Sequence, residues 1–271
     1  MKNTKSYYDG ITDVLLDTVT NHCELSVDRI LSWHKKIMDE NPSIRKGSFR
    51  DGSVYVVSGK YKNTEIVYEA PPAASVPTMM NDFIAFINSH KYSDSVMAAV
   101  AHFFFVAVHP FEDGNGRIAR IISDYLLSRS SDSLPAAFVS TEIKKKQSEY
   151  YGMLKAASLS TSMDITDWVV WFLEKMIDAY NASIIKVHMS FKVREFFRRA
   201  ECFNLNDRQM KFLKKILNED REGKITAKKF AVITGCHPDT ANRDLKKLVD
   251  CGLLMKEEGG SKNTHYSILL N

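Results

Sequence analysis

Apolar positions recur every three to four residues through most of the chain, and that period predicts helices. Ile11, Val14, Leu15 and Val19 mark one over 10–20; Val27, Ile30, Leu31, Trp33, His34 and Ile37 mark a second behind a Ser26 N-cap. Pro42 and the run GSFRDGS break the pattern. Two β-branched and aromatic runs follow, Val54 to Ser58 and Glu65 to Tyr68, and the intervening Gly59-Lys60-Tyr61-Lys62-Asn63 predicts an irregular hairpin. Helical spacing returns over 76–90 and 94–108. The second of these is apolar nearly all round, with Met97, Val100, Ala101, Phe104, Phe105 and Val108 on one side and Phe103 and Val106 behind, so it should be the buried central helix. His102 within it reads as a core histidine with satisfied nitrogens. Further helices are expected over 115–130, 144–158 and 165–186, with 187–203 prolonging the last as a connector.

From Leu205 the elements shorten. Met210, Leu213, Ile216 and Leu217 mark one helix, Thr226 caps a second containing Phe230 and Ile233, and Gly235 turns the chain. Pro238 opens a third with Ala241, Leu245, Leu248 and Val249, ending at Gly252. Leu253 to Lys256 and Tyr266 to Leu269 then flank the hairpin loop EEGGSKNT. That order predicts a winged helix-turn-helix. Thr240, Arg243, Lys246 and Lys247 should face outward on its third helix, with Lys256 and Lys262 near the wing. DNA and a protein partner are both open as ligands, and Asp239 and Asp244 count against a phosphate-binding face. The expected fold class is therefore mainly α: a helical body with a small β-hairpin over 1–186, a connector over 187–203, and a winged-helix domain over 204–271.

Composition adds three constraints. With 44% hydrophobic and 26% charged residues in 271, the chain has ordinary globular make-up. Its net charge of +4 lies wholly in the last quarter, where 13 Lys and Arg oppose 9 Asp and Glu from Asn204 onward, so the two parts should have different partners. MKNTKSYYDG lacks the apolar core of a leader, and the run Val96 to Val108, broken by His102, is too short to cross a bilayer. Cys23, Cys202, Cys236 and Cys251 show no CxxC or metal spacing and suit a reducing cytoplasm, with no membrane partner.

The chemistry concentrates in HPFEDGNGRIAR, residues 109–120. GNGRIA matches part of the dinucleotide fingerprint, but a helix precedes it and no alternating strands and helices follow, so that reading fails on context. Zinc on His109 and Asp113 lacks a third nitrogen or sulfur ligand. A polyphosphate site uses nearly every residue. Gly114 and Gly116 permit close backbone approach, and the amides opening the next helix can cradle an anion. Arg117 and Arg120, three apart, share a face pointing away from the apolar stripe and can clamp phosphate oxygens. Asp113 is a hard oxygen ligand suited to Mg²⁺, His109 can accept a proton near pH 7, and Phe111 plugs into the core.

HPFEDGNGRIAR resembles the HPFx(D/E)GNGRxxR signature of the Fic family at every defined position. The likeness extends over about 10–180 through AHFFFVAV, VYEAPP, SEYYGMLKAAS and DITDWVVWFLEKM. The resemblance implies a helical core with a β-hairpin flap. It also implies a protein adenylyltransferase that moves AMP from ATP, with Mg²⁺, to a Ser, Thr or Tyr hydroxyl of a target protein and releases pyrophosphate. His109 then corresponds to the general base and Asp113 to the Mg²⁺ ligand. Asn115 and the loop amides around Gly114 and Gly116 correspond to the α-phosphate holder, and Arg117 and Arg120 to the β/γ-phosphate contacts. Tyr151 stands where the family packs a tyrosine by adenine, whereas Ser158 departs from the asparagine of some members. Ser58, Gly59, Val67 and Tyr68 lie in the flap that aligns the target by strand addition.

The family's inhibitory pattern (S/T)xxxE(G/N), whose glutamate pairs with the arginine equivalent to Arg120, is not found. Glu40-Asn41 has Lys36 at the required position, Glu222-Gly223 has Asn218, and Glu258-Gly259 has Leu254. The expectation is a shortened chain, or an inhibitory helix or antitoxin acting in trans. Phosphoryl transfer and AMP removal remain open on the same site, as does a DNA- or protein-binding regulator that uses the Fic domain as a scaffold.

Overall fold

The computed structural model describes residues 7–39, 43–58, 65–129, 139–159, 164–218, 224–257 and 264–270; the expectations placed on Gly59 and Lys262 lie outside these. Two compact units result, Met1–Ala182 and Ser183–Asn271.

In the first unit α1 (Tyr7–Thr20) and α2 (Val27–Ile37) precede a hairpin of β1 (Tyr55–Ser58) and β2 (Glu65–Glu69). After it come a 3-10 turn (Ala73–Ser75), α3 (Val76–Asn88), α4 (Asp94–Val108), α5 (Asn115–Ser128), α6 (Val139–Lys145), α7 (Gln147–Leu159) and the start of α8 (Thr166–Glu201). Caps set the starts: Ser26 accepts from the Arg29 amide at 3.2 Å and Ser93 from that of Val96 at 3.5 Å. Gly10 admits the end of α2, since a Cβ there would lie 2.5 Å from the Lys36 carbonyl oxygen.

The all-round apolar α4 is central, packed along α5 with Ala98, Ala101, Phe105 and Val108 buried, and Ile118, Ala119, Ile122 and Leu126 answer them from α5. His102 is fully buried and satisfied, with Nδ1 3.2 Å from Ser123 Oγ and Nε2 3.0 Å from the Tyr150 hydroxyl. One expected helix, 144–158, is instead two. The Lys146 amide is shared between the carbonyls of Glu142 and Ile143, a three-centre bond that marks the junction of α6 and α7.

The hairpin pairs Tyr55 with Glu69, Val56 with Tyr68, Val57 with Ile66 and Ser58 with Glu65, with a bulge between Val56 and Val57. Among the described residues it is a two-stranded sheet, so each strand has an unpaired edge.

In the second unit α9 (Asp207–Asn218), α10 (Ala227–Thr234) and α11 (Pro238–Asp250) close over Phe212, Leu213, Phe230, Leu245 and Leu248. β3 (Leu254–Lys256) pairs antiparallel with β4 (Tyr266–Ile268), and Ile225 bridges to Tyr266. Thr226 caps α10 on the Lys229 amide at 3.2 Å, and Gly235 ends it at φ +70°. Residues 187–201 are more than a connector: they continue α8, and their Val193, Phe196 and Ala200 are buried in this second core.

Candidate active site

His109 ends α4 in the left-handed region, φ +50° and ψ 58°. Such a backbone is uncommon for a residue with a Cβ and persists only where its surroundings fix it. Arg50 supplies much of that fixing. Almost wholly buried, it donates through Nε to the His109 carbonyl at 2.7 Å. Its other nitrogens donate to the carbonyls of Gly52, Pro71 and Val108, and its amide to that of Pro110. A guanidinium at the carboxyl end of α4 also opposes the helix dipole. The residue lies 59 positions from His109, and nothing local in the sequence announces this role.

The imidazole is prepared as a base. Nδ1 lies 3.2 Å from the Val106 carbonyl, which can only accept, so Nδ1 carries the proton and Nε2 keeps its lone pair. Burial, seconded by the Arg50 charge, holds the His109 pKa below the ordinary histidine value against the opposing pull of the Val106 carbonyl and Asp113. The ring is therefore neutral at pH 7.

The loop between α4 and α5 is locked from within and beneath. Asn115 is buried, with Oδ1 accepting from the Phe111 amide at 2.9 Å and Nδ2 donating to the Phe111 carbonyl at 2.8 Å. These two bonds lock the loop from beneath and hold the backbone amides that open α5 where an anion can meet them. Phe111 is fully buried and stacks on His34, ring centroids 3.8 Å apart and planes within 1°. His34 accepts from the Gly47 amide at Nδ1, 3.0 Å, so its Nε2 carries the proton and donates to the Asp113 carbonyl at 3.1 Å. Periodicity marked His34 only as one more position on the inner face of α2; its hydrogen bond across 79 residues was not legible.

Gly114 caps α5 at φ +84°, and a Cβ there would lie 3.1 Å from Met38 Sδ and 3.5 Å from the His34 ring. Gly114→Ala should therefore lower stability by about 1–2 kcal/mol, from the left-handed backbone and the crowded floor together. Thermal unfolding checks this; an unchanged midpoint would show that the loop tolerates a Cβ.

The charged groups face outward from this floor. Asp113 is exposed, with Oδ1 accepting from the Gly114 amide at 2.6 Å and Oδ2 3.5 Å from Arg117. Arg120 is half-buried with one guanidinium nitrogen 3.5 Å from where a Gly116 Cβ would stand, so it lies over the glycine turn. Among the described residues no carboxylate forms an ion pair with it. On its inner side lie His102, Asp124 and Tyr150, all of which feel its charge. Asp124, one turn further along α5, is 7% exposed, and burial pushes its pKa up to about 7 although Arg120 pulls it down. Burial likewise depresses His102 to about 3.

Residues 24–127 match the model of the Fic/DOC family. This segment is a Fic/DOC domain. The match contains the whole glycine loop, His34, Arg50 and Arg120. The chain is 31% identical over 160 residues to protein adenylyltransferase fic-1 of Caenorhabditis briggsae, a stretch covering 59% of this chain and 29% of that one. It is 30% identical over 161 residues to protein adenylyltransferase Fic of Drosophila willistoni, covering 58% and 29%. The chain thus spans under a third of the length of these relatives. In fold it is similar to a Fic family protein from Desulfovibrio desulfuricans G20, with TM-score 0.59 and 20% identity over 97% of this chain and 74% of that one. It is also similar to residues 134–508 of Fic-1 from C. elegans, with TM-score 0.50 and 24% identity over 69% and 55%.

The remaining expected site residues lie on α7, on the hairpin and, in the second unit, on α11. Tyr151 is 56% exposed on α7, its ring in a T-shaped contact with that of Tyr150 at 5.2 Å; Ser158 is half-buried on the same helix. Ser58 and Val67 lie on β1 and β2, and α7 packs against β2. Tyr68 is half-buried and shares its surroundings with Arg50, so its side chain belongs to the base of the flap. On α11 Arg243, Lys246 and Lys247 are exposed and Thr240 half-buried, but the Lys247 amine donates to the Asn204 carbonyl. Asp244 is turned inward, bonded to Asn206 at 2.9 Å, Arg208 at 3.0 Å and Gln209 at 3.1 Å. It therefore does not weaken an outer phosphate-binding face as its type suggested; the exposed acid there is Asp239.

Proposed function

We propose that the chain is a protein adenylyltransferase, and the observation that carries the reading is the bare Nε2 of neutral His109 beside an anion-ready glycine turn. ATP would lay its α-phosphate on the amides that open α5, where the helix dipole favours negative charge. Arg117 and Arg120 would meet the β- and γ-phosphates, and the exposed ring of Tyr151 would take the adenine. A Ser, Thr or Tyr hydroxyl of the target gives its proton to His109 Nε2 as its oxygen bonds the α-phosphorus. The bond from that phosphorus to the bridging oxygen breaks, and pyrophosphate leaves. The names of the relatives support AMP transfer over the other reactions this site could host.

Among the described residues no cluster of three or more His, Cys, Asp and Glu side chains could cage a metal. A single exposed carboxylate fits Mg²⁺ all the same, because that ion keeps waters and binds through one or two carboxylates plus substrate phosphates. Asp113 would hold it. Bound there, it would neutralise charge on the phosphates of ATP.

The unpaired edge of the β1–β2 hairpin suits an extended target segment, aligned by strand addition along Ser58 and Val67. Three short helices followed by a hairpin support a winged helix over 204–271, with Arg243 and Lys246 exposed on its third helix and Thr240 half-buried beside them; DNA and a protein partner are both compatible with that face. Four unpaired cysteines support a reducing compartment such as the cytoplasm, and no described helix is long and apolar enough to cross a membrane.

Incubation with ATP labelled at the α- or the γ-phosphate tests the reading. α-label on protein marks AMPylation, γ-label marks phosphoryl transfer, and release of AMP from a modified protein marks the reverse reaction. Arg120→Ala should weaken ATP binding by about 10- to 100-fold, the loss of charge-assisted hydrogen bonds, while AMP binding changes little. Equal losses for both nucleotides would remove Arg120 from the terminal phosphates. Loss of ATP binding on Arg120→Ala also bears on inhibition in trans, since any inhibitory carboxylate must compete for the same open guanidinium.

A further inference from the structure

Three buried polar side chains form one line across three helices of the first unit. His102 on α4 has the Tyr150 hydroxyl of α7 3.0 Å from its Nε2 and Ser123 Oγ of α5 3.2 Å from its Nδ1. Ser123 Oγ in turn lies 3.0 Å from the Ala119 carbonyl and 3.4 Å from that of Ala98. One direction gives every proton in this line an acceptor among the described residues: the Tyr150 hydroxyl donates to Nε2, Nδ1–H donates to Ser123, and the Ser123 hydroxyl donates to Ala119. The reverse direction strands the Tyr150 proton, whose oxygen meets only the imidazole among the described residues. Burial agrees with the first direction, since it keeps the imidazole neutral and pushes the Tyr150 hydroxyl up so that it holds its proton. The rings of Trp168 and Phe172 pack on the imidazole, with centroids 5.7 and 5.4 Å away.

The two ends of the line fall on the two parts of the site. α5 opens with the loop amides and carries Arg117 and Arg120, whereas α7 carries Tyr151 directly after Tyr150, ring against ring at 5.2 Å. α7 buries only Tyr150 and Leu154, and Glu149 adds a bond from Trp171 Nε1 at 2.8 Å. With so few anchors, the Tyr150 hydroxyl is the one polar tie from α7 to the α4–α5 pair among the described residues. We propose that Tyr150, His102 and Ser123 are positioning residues that hold Tyr151 at a set distance from the amides opening α5, and so match the site to the span between adenine and the phosphates. The inference rests on adenine lying at Tyr151. A nucleotide gripped at both ends gains from both only when their spacing fits. If the line is broken, α7 occupies the fitting position for a smaller fraction of the time, and affinity falls by that fraction. A ligand that uses the phosphate end alone is indifferent to the break.

Titration calorimetry of the full chain in Mg²⁺, with ATP and inorganic tripolyphosphate as the two probes, tests this. Tyr150→Phe keeps the ring and deletes the donor. It should weaken ATP about 5- to 10-fold, the scale of one buried hydrogen bond, and leave tripolyphosphate within about twofold. Ser123→Ala breaks the line at its other end, on a different helix, and should split the two probes in the same way. The double variant should lose little beyond Tyr150→Phe, because a line already broken has nothing further to transmit. Equal weakening of both probes would mark general damage to the fold and overturn the proposal. So would unchanged ATP affinity in Tyr150→Phe, or losses that add in the double variant. Tyr151→Leu separates the two ways of failing. If it weakens ATP relative to tripolyphosphate while Tyr150→Phe does not, the positioning line is wrong and the place of adenine stands. If Tyr151→Leu produces no split either, adenine lies elsewhere and both are wrong.

Discussion

His109→Ala is expected to lower transfer of α-label from ATP to a target protein by about 100- to 10,000-fold, the range a positioned general base supplies. The substitution removes a proton acceptor at the attacking hydroxyl and nothing that touches a phosphate, so ATP affinity should stay within a few-fold. The pH profile of the unmodified protein carries the same information. Only the neutral ring can accept the proton, and burial lowers the pKa from the ordinary 6.5. The rate should therefore be level through neutral pH and fall only on the acid side, below the range where an exposed histidine titrates. Labelling retained within tenfold in the alanine variant would remove His109 as the base. An acid limb centred at or above pH 6.5 would mean that the ring titrates as if exposed.

The second large effect concerns stability and comes from two buried groups that titrate in opposition. His102 stays neutral in the folded chain down to about pH 3, while in the unfolded chain it protonates below 6.5. Its contribution is complete above pH 6.5 and is lost as pH falls from there toward 3, up to ~5 kcal/mol at 1.36 kcal/mol per unit. Asp124 stays protonated in the folded chain up to about pH 7 but ionises above 3.8 when unfolded. Its contribution is complete below pH 3.8 and is lost as pH rises through 7, up to ~4 kcal/mol. Between about pH 4 and 6.5 one group binds a proton only when unfolded and the other only when folded, so their slopes cancel.

Asp124→Asn keeps the shape and deletes the second titration. The variant should match the parent near pH 4, exceed it by as much as ~4 kcal/mol at pH 8, and lose ~1.4 kcal/mol per unit more steeply between 6.5 and 4. His34 and His109, also depressed by burial, tilt both proteins alike and drop out of the difference. Urea unfolding at pH 4.5, 5.5, 6.5 and 8 measures it. A difference between the two proteins that is constant with pH would mean that Asp124 ionises freely in the folded state.

Asp124 and Arg120 also show how the site divides between floor and mouth. Phe111, Asn115, His34 and Arg50 form a floor in which nearly every polar atom is matched within the chain. Arg117, Arg120 and Asp113 form a mouth where charges are partly paired or open. A floor of satisfied hydrogen bonds holds the backbone amides in place before any ligand arrives, which lowers the entropy lost on binding. The single strained backbone in the loop with a Cβ, at His109, falls on the residue that would perform the chemistry, and Arg50 holds it there.

Much of this was legible in the residues alone. Helical period, Ser26 and Thr226 as caps, the turn at Gly235, and the twelve-residue motif with its glycines are all local signals. Each depends on neighbours within one or two turns, so the order of residues determines it. The left-handed His109 and its proton on Nδ1, the four carbonyls gathered by Arg50, the His34–Phe111 stack, and the inward turn of Asp244 were decided by the tertiary structure. Most of them join residues far apart in the chain, up to 79 positions, or depend on which side of a helix is covered, and no spacing rule reports that.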